Sequence, residues 1–384
     1  VLELDGTLTT NGNVDFKNDA TSLGQLKSGS VTGSVTVERF IPSGNRAFRL
    51  VTSAVDSDSS IYNNWQERGF APTNIGTHIT GSDTGVNGFD LTSTGNPSMF
   101  TFDNSVVNQS GGSAWTPISN TDVNTLNAGE LYRVYIRGDR SIDLTDNDAV
   151  ANQTVLRAKG TLKTGTLTTG TGNIPGLSAT ASNYSAVANP YQAIIDAEAL
   201  TYNNVNANFI YVWDANELAN GKFVVVSTDG SLAPNPSSSN ANQYIMPGQA
   251  FFVQNSSTLS ATPSIVFEEV DKATNQAQVE IFSEESALPY LNLRLYTADA
   301  LSNNLAEVDA IGIRFADEFT NLPSDEDASK LGNPDENLAI INNQSLLYIE
   351  NRSLPVNEEV LPLFINGYTD LEYSFKAITG YIPE

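Results

Sequence analysis

The chain has 384 residues, enough for two or three ordinary domains that each bury a core of their own. Forty-four acidic against 19 basic residues give a net charge of −25, which repels phosphate backbones and anionic membrane surfaces and argues against nucleic acid as a partner. Cysteine is absent, so disulfides, thiolate metal sites and cysteine nucleophiles are excluded together; no apolar run nears the ~20 residues of a membrane-spanning helix, and the chain reads as not membrane-spanning.

Twenty-eight glycines and 16 prolines break the chain into short segments and favour short strands over long helices. Residues 1–33 read as very short strands between turns: Leu2 and Leu4 alternate, Asp5-Gly6 and Asn11-Gly12 turn, and Val14 and Phe16 alternate again. That rhythm suits the last rungs of a β-solenoid and suits a pair of hairpins equally well. From Ser34 the pattern strengthens, with Val35, Val37 and Arg39 on one face and a buried strand at 47–51. A short helix is predicted next, capped by Ser59 or Ser60, with Ile61 and Trp65 on one face and Gly69 at its end.

Strands are predicted at 98–102, 131–137 and 155–162, and a second series runs through Tyr184, 209–213, 223–227, 249–254 and 264–267. The two series suggest a weak internal repeat. Residues 100–104 match 210–214 in character, and Gly129 leads into Tyr132, Val134 and Ile136 as Gly248 leads into Phe251 and Val253. The last block alternates at Leu291-Leu293-Leu295, Ile311-Ile313-Phe315, Leu338-Ile340, Leu346-Tyr348, Leu361-Leu363-Ile365 and Tyr373-Phe375, as an Ig-like sandwich would. It is also the most acidic part, with 18 acidic and 5 basic residues from Ser283 onward, a composition break that marks a domain boundary. The expected fold is therefore all-β: tandem β-sandwich domains with a solenoid-like or hairpin start at 1–33, related domains at 34–165 and 166–282, an acidic sandwich at 283–384, and a few short helices.

Several stretches carry a resemblance: Val35–Pro42 with Arg46–Arg49, Asn64-Trp65-Gln66-Glu67, Gly76–Gly81, Asn189-Pro190-Tyr191, Tyr211-Val212-Trp213-Asp214 and Pro247–Val253, then Asp325–Leu331 with Asn337–Ile340. With these the chain resembles the non-catalytic regions of large adhesin-like surface proteins of gliding Bacteroidetes, exported by the type IX secretion system. The last block resembles the module that commonly precedes the C-terminal sorting tail. The resemblance implies a secreted, extracellular protein displayed at the outer cell surface, handled by the type IX machinery during export. Val1–Gly6 has neither the basic start nor the apolar core of a signal peptide, so an export signal is expected upstream.

Candidate chemistry is sparse. His78 is the only histidine and no Gly-x-Ser-x-Gly elbow accompanies it, so a serine triad has little to build on. The adjacent pairs Glu268-Glu269, Glu284-Glu285 and Glu358-Glu359 point to opposite faces if they lie in strands, unlike the facing carboxylates of a glycosidase. Asp143, Asp146 and Asp148 with Asn147 gather hard oxygen donors suited to calcium, without the glycine and terminal glutamate of an EF-hand; the other reading is a turn whose aspartates bond local amides. Asp325-Glu326-Asp327 and Asp335-Glu336 raise the same question, and Ser324 with Asp327 also explains them as a helix start. Trp65 and Trp213 read as core, whereas Trp115, beside Gly111-Gly112-Ser113-Ala114, is the candidate carbohydrate-binding ring. Arg133, Tyr135 and Arg137 share a strand face, with Glu130 and Asp139 expected to neutralise the arginines, and Arg137-Gly138-Asp139 reads as a structural turn.

The expectation is a non-enzymatic adhesin or stalk region that needs no cofactor, with calcium as an option, and that meets a surface polysaccharide or a protein ligand. The alternatives are a carbohydrate-binding accessory region of a polysaccharide-degrading enzyme and a passenger or structural part of the export machinery.

Overall fold

Strands begin at the second residue: β1 (Leu2–Thr9), β2 (Asp15–Phe16), β3 (Leu26–Thr32) and β4 (Ser34–Ile41). The computed structural model describes residues 1–44, 46–109, 112–146, 149, 151–215, 222–232, 234, 239–277, 289–303, 307–317, 319–324, 327–333, 335–355 and 359–380. β3 lies parallel on β1, with Leu2 beside Leu26 and Leu8 beside Val31, and β4 lies parallel on β2, with Phe16 beside Val37. A hairpin would pair antiparallel. Parallel stacking of one two-strand turn of chain on the next is solenoid winding, and of the two readings of this segment it is the one the structure adopts. Leu2, Leu4, Leu8 and Val14 pack inward on a core that already holds Phe16, Leu26, Val31, Val35 and Val37.

The winding passes directly into a sandwich built from β5 (Ala47–Val51), β6 (Val55–Ser57), β7 (Thr80–Ser82), β8 (Asp90–Leu91), β9 (Met99–Phe102), β10 (Trp115–Pro117), β11 (Tyr132–Ile136) and β12 (Thr154–Leu162). One sheet has the order β2-β4-β12-β6 and the other β10-β9-β11-β5. Val35, Val37, Leu156 and Ala158 of the first meet Val51, Met99, Tyr132, Val134 and Ile136 of the second in one core. The predicted helix near Trp65 forms instead as successive turns ending in a 3-10 turn at Glu67–Gly69. Glu67 and Arg68 take left-handed backbone angles, and the Asn64 amide bonds the carbonyls of Ser59 and Ser60, competing with a helical ladder. Ile61 and Trp65 are nevertheless buried, as their spacing required.

The next strands are β13 (Leu167–Thr168), β14 (Tyr184–Ala188), β15 (Ile195–Asp196), β16 (Thr201–Asn203), β17 (Phe209–Asp214), β18 (Lys222–Ser227), β19 (Tyr244–Ile245), β20 (Ala250–Gln254) and β21 (Ser264–Phe267). They repeat the earlier pairings in the same chain order and all antiparallel. β21 is flanked by β13 and β16 as β12 is by β4 and β6; β14 pairs β20 as β5 pairs β11; and β17–β18 form a hairpin as β9–β10 do. Each hairpin carries a cross-strand aromatic pair at 4.9 Å, Phe102 with Trp115 and Trp213 with Phe223, and Asp103 and Asp214 follow the first ring of each. The match of residues 100–104 with 210–214 is thus displaced by one position. Gly129 and Gly248 both have left-handed φ, near 83° and 76°, at the turn before β11 and β20.

By compactness the chain divides into two units, residues 1–205 with 244–280 and residues 206–243 with 281–384. The expected segment 166–282 is shared between them, and its residues 206–243, which include β17 and β18, group with the C-terminal block. That block holds β22 (Tyr290–Thr297), β23 (Asp309–Phe315), β24 (Ala328–Ser329), β25 (Asn337–Asn342), β26 (Ser345–Arg352), β27 (Leu363–Asn366) and β28 (Tyr373–Gly380), with one short helix, α1 (Ala298–Ser302), capped by Thr297. These strands join in a single mixed sheet of order β27-β25-β26-β23-β22-β28, with β24 also on β26. Leu363 and Ile365 at one edge and Tyr373 at the other pack on the same core of Ile311, Ile313, Leu338 and Ile340, so the sheet curls round its own apolar face. Lys330 and Asp309 pair at 2.5 Å inside it, and Asp309 also accepts from the Leu338 amide and the Tyr348 hydroxyl. The turn expected to start a helix at Ser324 forms without one: Asp327, buried, accepts from the Ser324 and Asn351 amides, and β24 follows directly. The acidic stretches 284–285 and 325–326 lie outside the described residues, as does Glu358.

In the first unit, a β-carbon at Gly160 of β12 would stand 1.9 Å from the Asp56 carbonyl oxygen of β6, backbone against backbone. Gly160→Ala should therefore lower stability by about 1–3 kcal/mol or more. A urea midpoint equal to that of the parent would show that the β6–β12 approach is looser than described.

Candidate ligand-binding face

Alternation along β11 divides its side chains. Tyr132, Val134 and Ile136 go into the core, and Arg133 and Tyr135, with Arg137 just past the strand end, go to the opposite face. Register then gathers aromatic rings there. Tyr135 stands opposite Phe48 of β5, Arg133 opposite Phe100 of β9, and Trp115 of β10 opposite Phe102. Phe48 lies edge-on to Phe100 at 6.0 Å and to Tyr135 at 5.1 Å, and Phe252 of β20 completes a trio with Phe102 and Trp115. Phe48, Phe100, Phe102, Trp115, Arg133, Tyr135 and Arg137 are all half-buried, and Phe252 is buried.

The Arg133 guanidinium carbon sits 3.9 Å over the Phe48 ring, 5.1 Å from that of Trp115 and 5.9 Å from that of Phe100; Arg137 lies 4.7 Å over Tyr135. Burial pulls both arginines below their ordinary pKa; at Arg137 the charge of Arg46 pulls the same way, while Tyr135 and the Asp90 carboxylate oppose it without cancelling it. A terminal nitrogen of Arg137 is buried without a hydrogen-bond partner. The acids expected to neutralise these cations are engaged elsewhere. Glu130 accepts from the Asn127 amide group and the Tyr132 hydroxyl, and Asp139 accepts from Ser141 and from the Asn74 backbone. Asp139 is fully buried, so Arg137-Gly138-Asp139 is a structural turn and not a displayed tripeptide.

Trp115 opens a strand instead of sitting in a loop, which is how it joins this face. Trp65 is buried edge-on to Tyr132 at 5.6 Å as expected of a core ring, whereas Trp213 is only half-buried against Phe223. Asp143 is exposed and accepts from the Thr145 amide and hydroxyl, which hold its carboxyl below the ordinary value; the Asp146 carbonyl accepts from Arg46; Asp148 lies outside the described residues. Among the described residues no three His, Asp or Glu side chains converge as a metal site would require.

His78 belongs to a buried network. Its Nε2 lies 3.1 Å from the carbonyls of both Arg140 and Ile142, and its Nδ1 lies 3.4 Å from Asp90. Asp90 also accepts two bonds from Arg140, at 2.7 and 2.9 Å, one from Gln66 and one from the Ile79 amide. Burial pushes the Asp90 carboxyl upward, but the hydrogen bonds from His78 and Arg140 outweigh it and leave it far below the ordinary aspartate range. The second unit has a separate cleft of about 200 Å³ whose lining includes Phe209, Asp229, Arg314, Phe319 and Asn351. There burial raises the Asp229 pKa, and bonds from Ser227 and Ser231 with the Arg314 charge bring it below the usual value.

A family described as "Domain of unknown function (DUF8693)" matches residues 83–379, more than three quarters of the chain and all of β8 to β27. No curated protein and no solved structure matches it.

The Asp90 network has a pH signature. A carboxylate whose folded pKa is depressed contributes stability that is fully present above its unfolded value, near 3.9, and is lost as pH falls through the folded one. Asp90→Asn leaves Arg140 buried without its counter-charge and should cost about 3–5 kcal/mol at pH 7. Its stability should also fall less than that of the parent between about pH 5 and 2. Parallel acid limbs in urea titrations of the two proteins would place the pH dependence on other carboxylates.

Proposed function

The chain belongs to the DUF8693 family, and from its surfaces we propose that it is a non-catalytic, adhesin-like recognition region of a large secreted surface protein. The observation that carries the reading is the outer face of β10-β9-β11-β5, where Trp115, Phe102, Phe100, Phe48 and Tyr135 stand half-exposed around Arg133. Adjacent strands hold these side chains in register, so little freedom is lost when a ligand settles on them. Half-exposed rings fixed beside a cation present apolar area and a polar handle together, which is what recognition surfaces need. Export by the type IX route, an extracellular location and a stalk-like role for the solenoid start belong to the same proposal and rest on the resemblance of Val35–Pro42, Pro247–Val253 and the other stretches. The same face would serve a carbohydrate-binding accessory region of a polysaccharide-degrading enzyme.

The test is binding of the purified chain to a panel of surface polysaccharides, followed by isothermal titration. Saturable binding is expected, and Trp115→Ala should weaken it at least tenfold, a loss of about 1.4 kcal/mol. Melting curves of both proteins show whether the variant is folded. Unchanged affinity in a folded Trp115→Ala protein would remove this face from recognition and leave a stalk.

A further inference from the structure

We propose that the ligand of this face is an anionic polysaccharide, whose carboxylate or sulfate groups pair with Arg133 and Arg137 while its sugar rings lie against Trp115 and Tyr135. The inference rests on the recognition role proposed above and names its ligand class. Its basis is an unmatched charge. The chain as a whole carries 25 more acidic than basic residues, yet among the described residues neither half-buried guanidinium forms an ion pair with a carboxylate: burial alone acts on Arg133, one terminal nitrogen of Arg137 is buried without a hydrogen-bond partner, and Asp90 reaches Arg137 only as a more distant charge. Removing a cation from water without a counter-ion is costly, and stacking on a ring recovers only part of that cost. Several other buried or partly buried cations of the same unit are matched, Arg140 by Asp90, Arg157 by Glu67 and Lys272 by Glu269, while Arg39 is buried with its Nε unpartnered and lies away from the rings of this face. An anion arriving from outside would complete Arg133 and Arg137 in the same way.

Spacing favours a polymer. Arg133 and Arg137 are four residues apart on one face, roughly 13 Å along an extended strand, with the Tyr135 ring between them. A single small anion reaches one of them, whereas a chain with repeated charges reaches both and passes the ring on its way. The rings favour sugar over an acidic peptide, because a pyranose offers a flat C–H face for each of them to cover. A single-stranded nucleic acid would also stack on the rings, but it needs a continuous basic track, and the net charge of −25 opposes it.

The full chain is titrated with polygalacturonate, alginate and a sulfated galactan, each beside its neutralised counterpart (methyl-esterified or desulfated), and with polyglutamate and polydeoxythymidylate. At least one acidic polysaccharide should bind tenfold or more tighter than its neutral counterpart, and its affinity should fall as salt rises from 50 to 500 mM. Arg133→Gln and Arg137→Gln should each remove most of that preference, bringing the acidic polymer close to the affinity of its neutral counterpart for the same variant. Arg137 contacts one ring alone, so its variant remains informative if loss of Arg133 disturbs packing. Equal binding of charged and neutral polymers, with loss on Trp115→Ala, overturns the anionic ligand and leaves the recognition reading in place. Binding to none of the polysaccharides overturns both. Tighter binding of polyglutamate or polydeoxythymidylate than of any polysaccharide overturns the sugar in favour of another polyanion.

Discussion

The antiparallel ladder between Ser34–Ile41 and Thr154–Leu162 ties together residues more than a hundred positions apart, and the first unit is assembled on its two edges. On one edge β4 receives β2 in parallel, so the solenoid-like start is continuous with the sandwich sheet; on the other β12 receives β6. Long-range pairing of this kind must meet its loop-closure cost before contacts reward it. The reward is Val35, Val37, Leu156 and Ala158 delivered to one face, opposite Tyr132, Val134 and Ile136. The Gly160 backbone approaches so closely that no side chain fits, which makes the ladder intolerant at the point where β6 joins it.

The second sheet has both faces committed. Its inner face is apolar and gives stability; its outer face carries aromatic rings and two half-buried arginines whose pKa values burial holds below the ordinary range. The two kinds of charge burial in this unit differ. Around Asp90 the strong bonds are supplied from within, by Arg140, Gln66 and Ile79, with the His78 ring 3.4 Å away. At Arg133 and Arg137 the described residues supply rings and no ion pair.

A recurring set of strand pairings accounts for much of the architecture. The pairings of β4, β5, β6, β9, β10, β11 and β12 recur in β13, β14, β16, β17, β18, β20 and β21, down to the aromatic pair in each hairpin. The two series differ in side-chain chemistry. At the positions flanking the middle ring of β11 the first series has Arg133 and Arg137, whereas β20 runs Ala-Phe-Phe-Val-Gln with every residue buried. The ring-and-arginine face therefore belongs to the first series alone.

The sequence by itself determined the all-β class, through short alternating segments, abundant turn residues and the lack of any long apolar run. It located nearly every strand of the C-terminal sheet, because residues such as Leu291-Leu293-Leu295 carry a period of two that no other element shares. It also showed Arg133, Tyr135 and Arg137 on one face and marked Trp115 as the ring to watch. What it could not decide was pairing. Alternation says which way a side chain points and not which strand lies beside it, so only the tertiary structure separated parallel winding from hairpins at residues 1–33. The same limit hid Phe48 and Phe100, which register places against Arg133 from positions 85 and 33 residues away, and it made Glu130 and Asp139 look like partners because they are close in sequence. Proximity along the chain stands in for proximity in space only where a helix or a turn enforces it, and across a sheet the hydrogen-bonded register sets which charges and rings meet.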